Sequence, residues 1–199
     1  MKISLYSDPS CPFCHRTRLA ISEKNIVVDI KNSTEQHWPE EIAIANPYGR
    51  SPALMDRDLI LFDANIIINY LDERFMHPPL MPTDPASRAK SRMMLHRIDH
   101  DWFSLWDALS GINKRKMSAS RKTIQEDLTV MSSLFSDSPF FLSDTFSILD
   151  CSLAPLLWRL PMLSIKLPAK AKAIEHYAER MFARDSFQNS LSDIERAMR

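Results

Sequence analysis

Four prolines fall within the nine residues "HPPLMPTDP", His77 to Pro85. Proline has no amide donor, its ring collides with the preceding helical turn, and it drives the residue before it into extended backbone. Neither a helix nor a central strand passes through such a stretch. The chain is therefore expected to form two segments, each burying its own apolar face, joined by a linker. The expected boundaries are residues 1–76, a Pro-rich linker at 77–85, and residues 86–199. At 199 residues the chain is long enough for two modest domains.

The two sides carry different patterns. Residues 2–6 alternate as a short strand, and Pro12–Lys24 has helical character up to Asn25. "IVVDI", Ile26–Ile30, is rich in β-branched residues and predicts a buried strand. A polar stretch over 31–46 holds a short helix near Pro39–Ala45, and "NPYGRSP" is a turn by composition. "ALMD" and "LILF" flank Arg57-Asp58 as a hairpin, and a helix follows from Asp63 to about Phe75. This β-α-β-(α)-β-β-α order predicts an α/β layer structure.

Beyond the prolines the pattern is helical. Leu95, Ile98, Trp102, Leu105 and Leu109 recur at spacings of three and four, as do Ile124, Leu128, Met131 and Phe135. Between these runs, Gly111–Ser120 reads as a polar connector. Ser147 with Asp150 makes a capping-box pattern before Ile148–Leu160, which is apolar nearly all round and predicts a buried central helix with a kink at Pro155. Ile174, Tyr177, Ala178 and Met181 mark another helix. Trp102, Trp106 and Trp158 are read as core.

Composition removes several functions. Twenty-five basic and 25 acidic residues cancel, which argues against nucleic-acid binding driven by bulk charge. Only Gly49 and Gly111 are present, too few for a Gly-rich phosphate loop. Three cysteines make no disulfide framework. There is no apolar run of the ~18 residues a membrane helix needs, and no charged-then-apolar leader follows Met1, so a cytoplasmic protein is expected.

The sharpest local motif is Cys11-Pro12-Phe13-Cys14, after a strand and at the start of a helix. Helix N-termini favour a thiolate, and this spacing lets Cys11 attack a disulfide and Cys14 resolve it. Arg16 and Arg18 are candidates for lowering the Cys11 pKa. The competing reading makes both cysteines small, half-buried apolar residues. His96 and His100 in "HRIDH" share a helical face, but no third ligand cluster accompanies them and no metal site is assigned. The basic run "NKRKMSASRK" lacks interleaved aromatics and is read as solvated.

An α/β unit with a cysteine opening its first helix, a Pro-rich linker and an all-helical domain resembles the glutathione S-transferase superfamily. "GRSPAL" matches the position of its cis-proline, here Pro52, and Ser147–Asp150 matches its central-helix capping box. The implied fold is an N-terminal thioredoxin-like α/β domain followed by an all-α bundle. The implied cleft comprises Cys11, Ser51, Pro52 and Asp63. Glutathione-binding relatives usually carry an acid and a serine at the last position. Ala64 lacks that hydroxyl, which weakens glutathione binding by about 1–1.5 kcal/mol, roughly tenfold. Asp63 is equally well read as a plain helix N-cap.

"YLDERFMHPPLMP", "RMMLHRIDHDW", "FFLSDTFSILDCSLAPLLWRLP" and "FARDSFQNSLSDIERAMR" narrow the resemblance to the stringent starvation proteins within that superfamily. That resemblance implies a homodimer that binds RNA polymerase holoenzyme in contact with the sigma factor. It implies no ordinary glutathione transferase activity, no required cofactor, no sequence-specific DNA binding of its own and no membrane association. The partner-binding residues it implies are Phe75, His77, Pro78, Pro79 and Leu80, with Met76 standing where the family has a proline. The alternative is a glutathione-dependent thiol transferase or reductase using Cys11 and Cys14, with glutathione as its ligand.

Overall fold

The computed structural model describes residues 3–33 and 38–199. Lys2 of the first predicted strand and residues 34–37 of the polar stretch lie outside them. The chain divides into two compact units, Met1–Leu80 with Asp185–Ala197, and Met81–Arg184 with Met198–Arg199. Residues 185–197, placed by the sequence in the helical domain of 86–199, thus group with the first unit.

The first unit is an α/β layer. Strand β1 (Ile3–Ser7) is followed by helix α1 (Pro12–Glu23), strand β2 (Val28–Asn32), helix α2 (Glu40–Ala45), strands β3 (Ala53–Asp56) and β4 (Leu59–Phe62), and helix α3 (Ala64–Arg74). The sheet order is β2-β1-β3-β4, with β1–β2 parallel and the other pairs antiparallel. A parallel pair needs a crossover, which α1 supplies, while β3 and β4 close as a hairpin. Ile3, Leu5, Ile21, Leu54, Ile67 and Leu71 form the core of the layer. Strand β2 lies two residues later than predicted and is not a buried strand. It is an edge of the sheet: Ile30 is 49% exposed, and Val27, just before the strand, is 81% exposed. Its β-branched run reflects pleated-strand preference, not burial on both faces.

Helix α1 is buried along most of its length, Arg16 and Arg18 included. Arg18 donates to the Ser7 hydroxyl (2.5 Å), the Ser190 carbonyl (2.9 Å) and Glu195 (2.5 Å), whose side chain is fully buried. His15 lies 3.0 Å from the Ser190 hydroxyl. The Ser190 and Glu195 partners lie in α9 (Asp185–Ser190) and α10 (Asp193–Arg196), and they tie the C-terminal segment to this unit. A buried guanidinium demands such partners.

The second unit is helical. Helix α4 (Pro85–Asp101) stops at Trp102, and a 3₁₀ turn over Phe103–Leu105 leads into α5 (Trp106–Ser110). The apolar spacing predicted to Leu109 therefore spans a break. Helix α6 (Lys114–Val130) begins inside the predicted connector, because the Asn113 side chain accepts from the Lys116 amide and caps it. Its 3₁₀ extension runs over Met131–Phe135. Helix α7 (Ile148–Arg159) is buried at every residue and continues through Pro155. Helix α8 (Lys172–Phe182) packs on it. Trp102 and Trp158 are buried, but Trp106 is only half-buried. Among the described residues no helix is long and apolar enough to cross a membrane.

Candidate functional site

Two places in the first unit hold most of the residues singled out by sequence; of the expected cleft, Ser51, Pro52 and Asp63 line one cavity and Cys11 does not. The first is a cleft of about 590 Å³, lined among others by Phe13, Arg50, Ser51, Pro52, Phe62 and Asp63. The Ser51–Pro52 peptide is cis. Gly49 precedes it at φ +57°, a conformation that costs glycine little. Asp63 sits at φ +74° as the N-cap of α3, and its carboxylate accepts from the amides of Asn65 (2.8 Å) and Ile66 (3.3 Å). The N-cap reading of Asp63 thus has its hydrogen bonds, in the wall of the cleft. Ala64 beside it is buried.

Cys11 is the N-cap of α1 and half-buried; Cys14 is buried in the first turn. Both are free thiols. The Cys14 sulfur accepts from the Asp8 amide (3.2 Å). Hydrogen bonding from the Cys14 side chain is the largest cause holding the Cys11 thiol below its ordinary pKa. Burial opposes it, and the amides of Cys14 and Phe13 assist. Burial first, then the same pairing, pushes the Cys14 thiol far up, while a hydrogen bond with the Ser51 side chain acts the other way. Of the two thiols Cys11 is therefore the more readily ionised, and Cys14 bonds to the Ser51 side chain of the cis-proline turn. Arg16 and Arg18, read from sequence as the electrostatic helpers, are engaged elsewhere: Arg18 as described, and Arg16 with Asn65 (3.1 Å). Helix-start donors lower the pKa of Cys11, not a neighbouring cation.

Alkylation tests this. Cys11 is expected to react with iodoacetamide with a half-maximal rate below the pH of an ordinary thiol. Cys14→Ala should move that midpoint upward, because the leading donor is gone. An unshifted midpoint in the variant would contradict the geometry.

The second place is the Pro-rich loop. Phe75 caps α3 and is half-buried, with the Arg74 guanidinium 5.5 Å from its ring centre. Met76, His77, Pro78 and Pro79 are exposed, and His77–Pro78 is cis. Leu80 is only 2% exposed. Sequence reasoning grouped Leu80 with its exposed neighbours and missed two side chains that hold the loop, Lys24 and Asp72. Their only local signal is a charge just past the end of α1 and another near the end of α3.

Elsewhere, His96 and His100 are exposed on α4 with rings 5.9 Å apart, and among the described residues no group of three or more His, Cys, Asp or Glu could hold a metal ion. The basic run at the start of α6 is mostly exposed, with Ser120 buried, Arg121 half-buried and Lys122 3.8 Å from Glu126.

Comparison with known proteins agrees with this architecture. Residues 5–79 match the glutathione S-transferase N-terminal domain family and residues 107–176 the C-terminal domain family. The structure of glutathione transferase Omega 3C from Trametes versicolor superposes with a TM-score of 0.84 at 23% identity, covering 97% of this chain and 85% of that one. The chain has the glutathione S-transferase fold, an α/β thioredoxin-like domain followed by a helical one. It is 41% identical over 194 residues to the stringent starvation protein A homolog of Haemophilus ducreyi, covering 95% of this chain and 89% of the relative. To the homolog of Coxiella burnetii it is 36% identical, covering 99% and 95%. The chain belongs to the stringent starvation protein A family.

Proposed function

We propose that this protein is an RNA polymerase-associated transcription regulator of the stress and starvation response. As a cytoplasmic homodimer it docks on polymerase holoenzyme, sigma factor included, through the Phe75–Leu80 surface. The observation that carries the reading is the exposure of His77, Pro78 and Pro79 in a chain of this family. Consecutive prolines have little freedom left to lose, so a partner can bind them at low entropic cost. Under this reading Leu80 is the buried anchor of the loop, and the contact atoms belong to Met76–Pro79. The missing hydroxyl at Ala64 and the engagement of the Asp63 carboxylate as an N-cap support the absence of ordinary glutathione transferase activity. The chain's own balance of charge supports action through the polymerase, not through DNA.

The test is a direct binding measurement between the purified protein and polymerase holoenzyme, with core enzyme alone as the comparison. Saturable binding that is strengthened by the sigma factor is expected; no binding to either form would overturn the reading.

One observation favours a second reading: the Cys11 thiol is held below its ordinary pKa by Cys14, whose side chain in turn bonds to Ser51 of the cis Ser51–Pro52 peptide. It supports a glutathione-dependent thiol transferase, with Cys11 attacking a mixed disulfide and Cys14 resolving it. Cys11→Ser should then eliminate turnover of a glutathionylated substrate. A wild-type protein that shows no turnover with glutathione would dismiss it.

A further inference from the structure

Pro78 and Pro79 lack amide hydrogens, so this part of the loop has few backbone donors with which to fix itself. The polar groups that bracket Pro79 are the Pro78 carbonyl and the Leu80 amide. Both are bound by one largely buried ion pair from other elements, the Asp72 side chain being 10% exposed. Lys24 follows the last turn of α1, and its side chain is fully buried. Its Nζ lies 2.7 Å from Asp72 Oδ1 and donates to the Pro78 carbonyl at 2.5 Å. Asp72, near the C-terminal end of α3, accepts the Leu80 amide on the same Oδ1 at 2.8 Å. Lys24, Asp72, Leu80 and Pro78 thus close a ring of hydrogen bonds around Pro79.

A buried lysine is an expensive way to join two helices. Well-packed apolar residues of the same volume often hold such a site as well or better. What the apolar pair could not do is bind the carbonyl and the amide of the loop. The geometry points to Lys24 and Asp72 as positioning residues that set the shape in which His77, Pro78 and Pro79 meet a partner. This rests on the polymerase-docking reading above. Neither residue touches the partner: Lys24 is buried beneath the loop, and Asp72 is turned toward it.

Three variants test the assignment. Lys24→Met with Asp72→Leu replaces the pair by apolar volume. Lys24→Arg keeps the charge and the donors with altered reach. Asp72→Asn keeps an acceptor for Leu80 but loses the charge. Each is measured by thermal melting, by hydrogen exchange of the Leu80 amide, and by affinity for polymerase holoenzyme. The double variant is expected to melt close to wild type, to exchange its Leu80 amide at least tenfold faster, and to bind holoenzyme at least tenfold more weakly. The two single variants should fall between it and wild type in both exchange and affinity. Unchanged Leu80 exchange in the double variant overturns the clamp, as does wild-type affinity with accelerated exchange. Failure of wild-type protein to bind holoenzyme would overturn the docking reading instead. The exchange result would then still decide whether the pair fixes the loop.

Discussion

Replacing His77, Pro78 and Pro79 together by alanine is expected to abolish measurable association with polymerase holoenzyme. A hot-spot residue at the centre of an interface loses ~2 kcal/mol or more on truncation, so a triple truncation that includes even one corresponds to a loss of well over tenfold in affinity. The same change should leave the fold intact. All three side chains are exposed, and surface substitutions of this kind shift stability little. The main expected cost is about 1–2 kcal/mol from the added freedom that two alanines give the unfolded chain. Circular dichroism melting and the holoenzyme binding assay separate the two effects. Unchanged co-purification with polymerase would show that the docking surface lies elsewhere. Leu80→Ala makes an instructive companion. It empties a buried position, so it should lower stability by about 2–5 kcal/mol as well as binding.

The largest stability effect is expected at Asp150. Its carboxylate is fully buried at the start of α7 and accepts four hydrogen bonds. They come from the Phe141 amide (2.9 Å), the Ser147 amide (2.8 Å), the Ser147 hydroxyl (3.1 Å) and the Tyr177 hydroxyl (2.7 Å). One side chain thus ties the preceding loop, the helix cap and α8 together. Asp150→Ala leaves two amides, the Ser147 hydroxyl and a phenol buried without their acceptor, at about 1–3 kcal/mol for each fully buried group. A net loss of ~3–5 kcal/mol is expected, a large part of the ~5–15 kcal/mol that holds an ordinary domain folded. Urea titration of the variant checks this, and a loss below 1 kcal/mol would contradict it.

The same carboxyl has a pH signature. Burial pushes its pKa up, against the hydrogen bonds that lower it. The native state therefore holds the Asp150 proton to higher pH than the unfolded chain does. Its contribution to stability is full below the unfolded aspartate value of about 3.9, and falls as pH rises through the folded value. This is the reverse of the usual salt-bridged aspartate. Asp150→Asn should remove that decline from the stability–pH curve, on top of losing an acceptor for Ser147.

Features set by a few neighbouring residues could be read directly from the chain. The prolines of 78–85 forbid a continuous element, Arg57-Asp58 turns a hairpin, and Ser147 with Asp150 forms a capping box with both reciprocal bonds in place. Each depends on contacts within about four positions, so composition and spacing carry them. Cys11 and Cys14 are also local, one turn apart, and their pairing followed from the helix that begins between them.

Other features depend on partners far away in sequence. Arg18 looked like a helper for Cys11 because the two are seven residues apart; Glu195, 177 positions on, takes its guanidinium instead. Residues 185–197 belong with the α/β unit for the same reason. Strand β2 looked buried because β-branched residues suit any strand, and only the sheet order makes it an edge. Nothing local marks Lys24, just past the end of α1, or Asp72, near the end of α3, as partners of each other. The sequence by itself determined where the chain must break, turn and begin its helices, and which residues bear thiols and prolines. The tertiary structure alone decided which charges are buried and what they hold. A buried charge must find its counter-charge through space, and nothing in the local pattern specifies that distance.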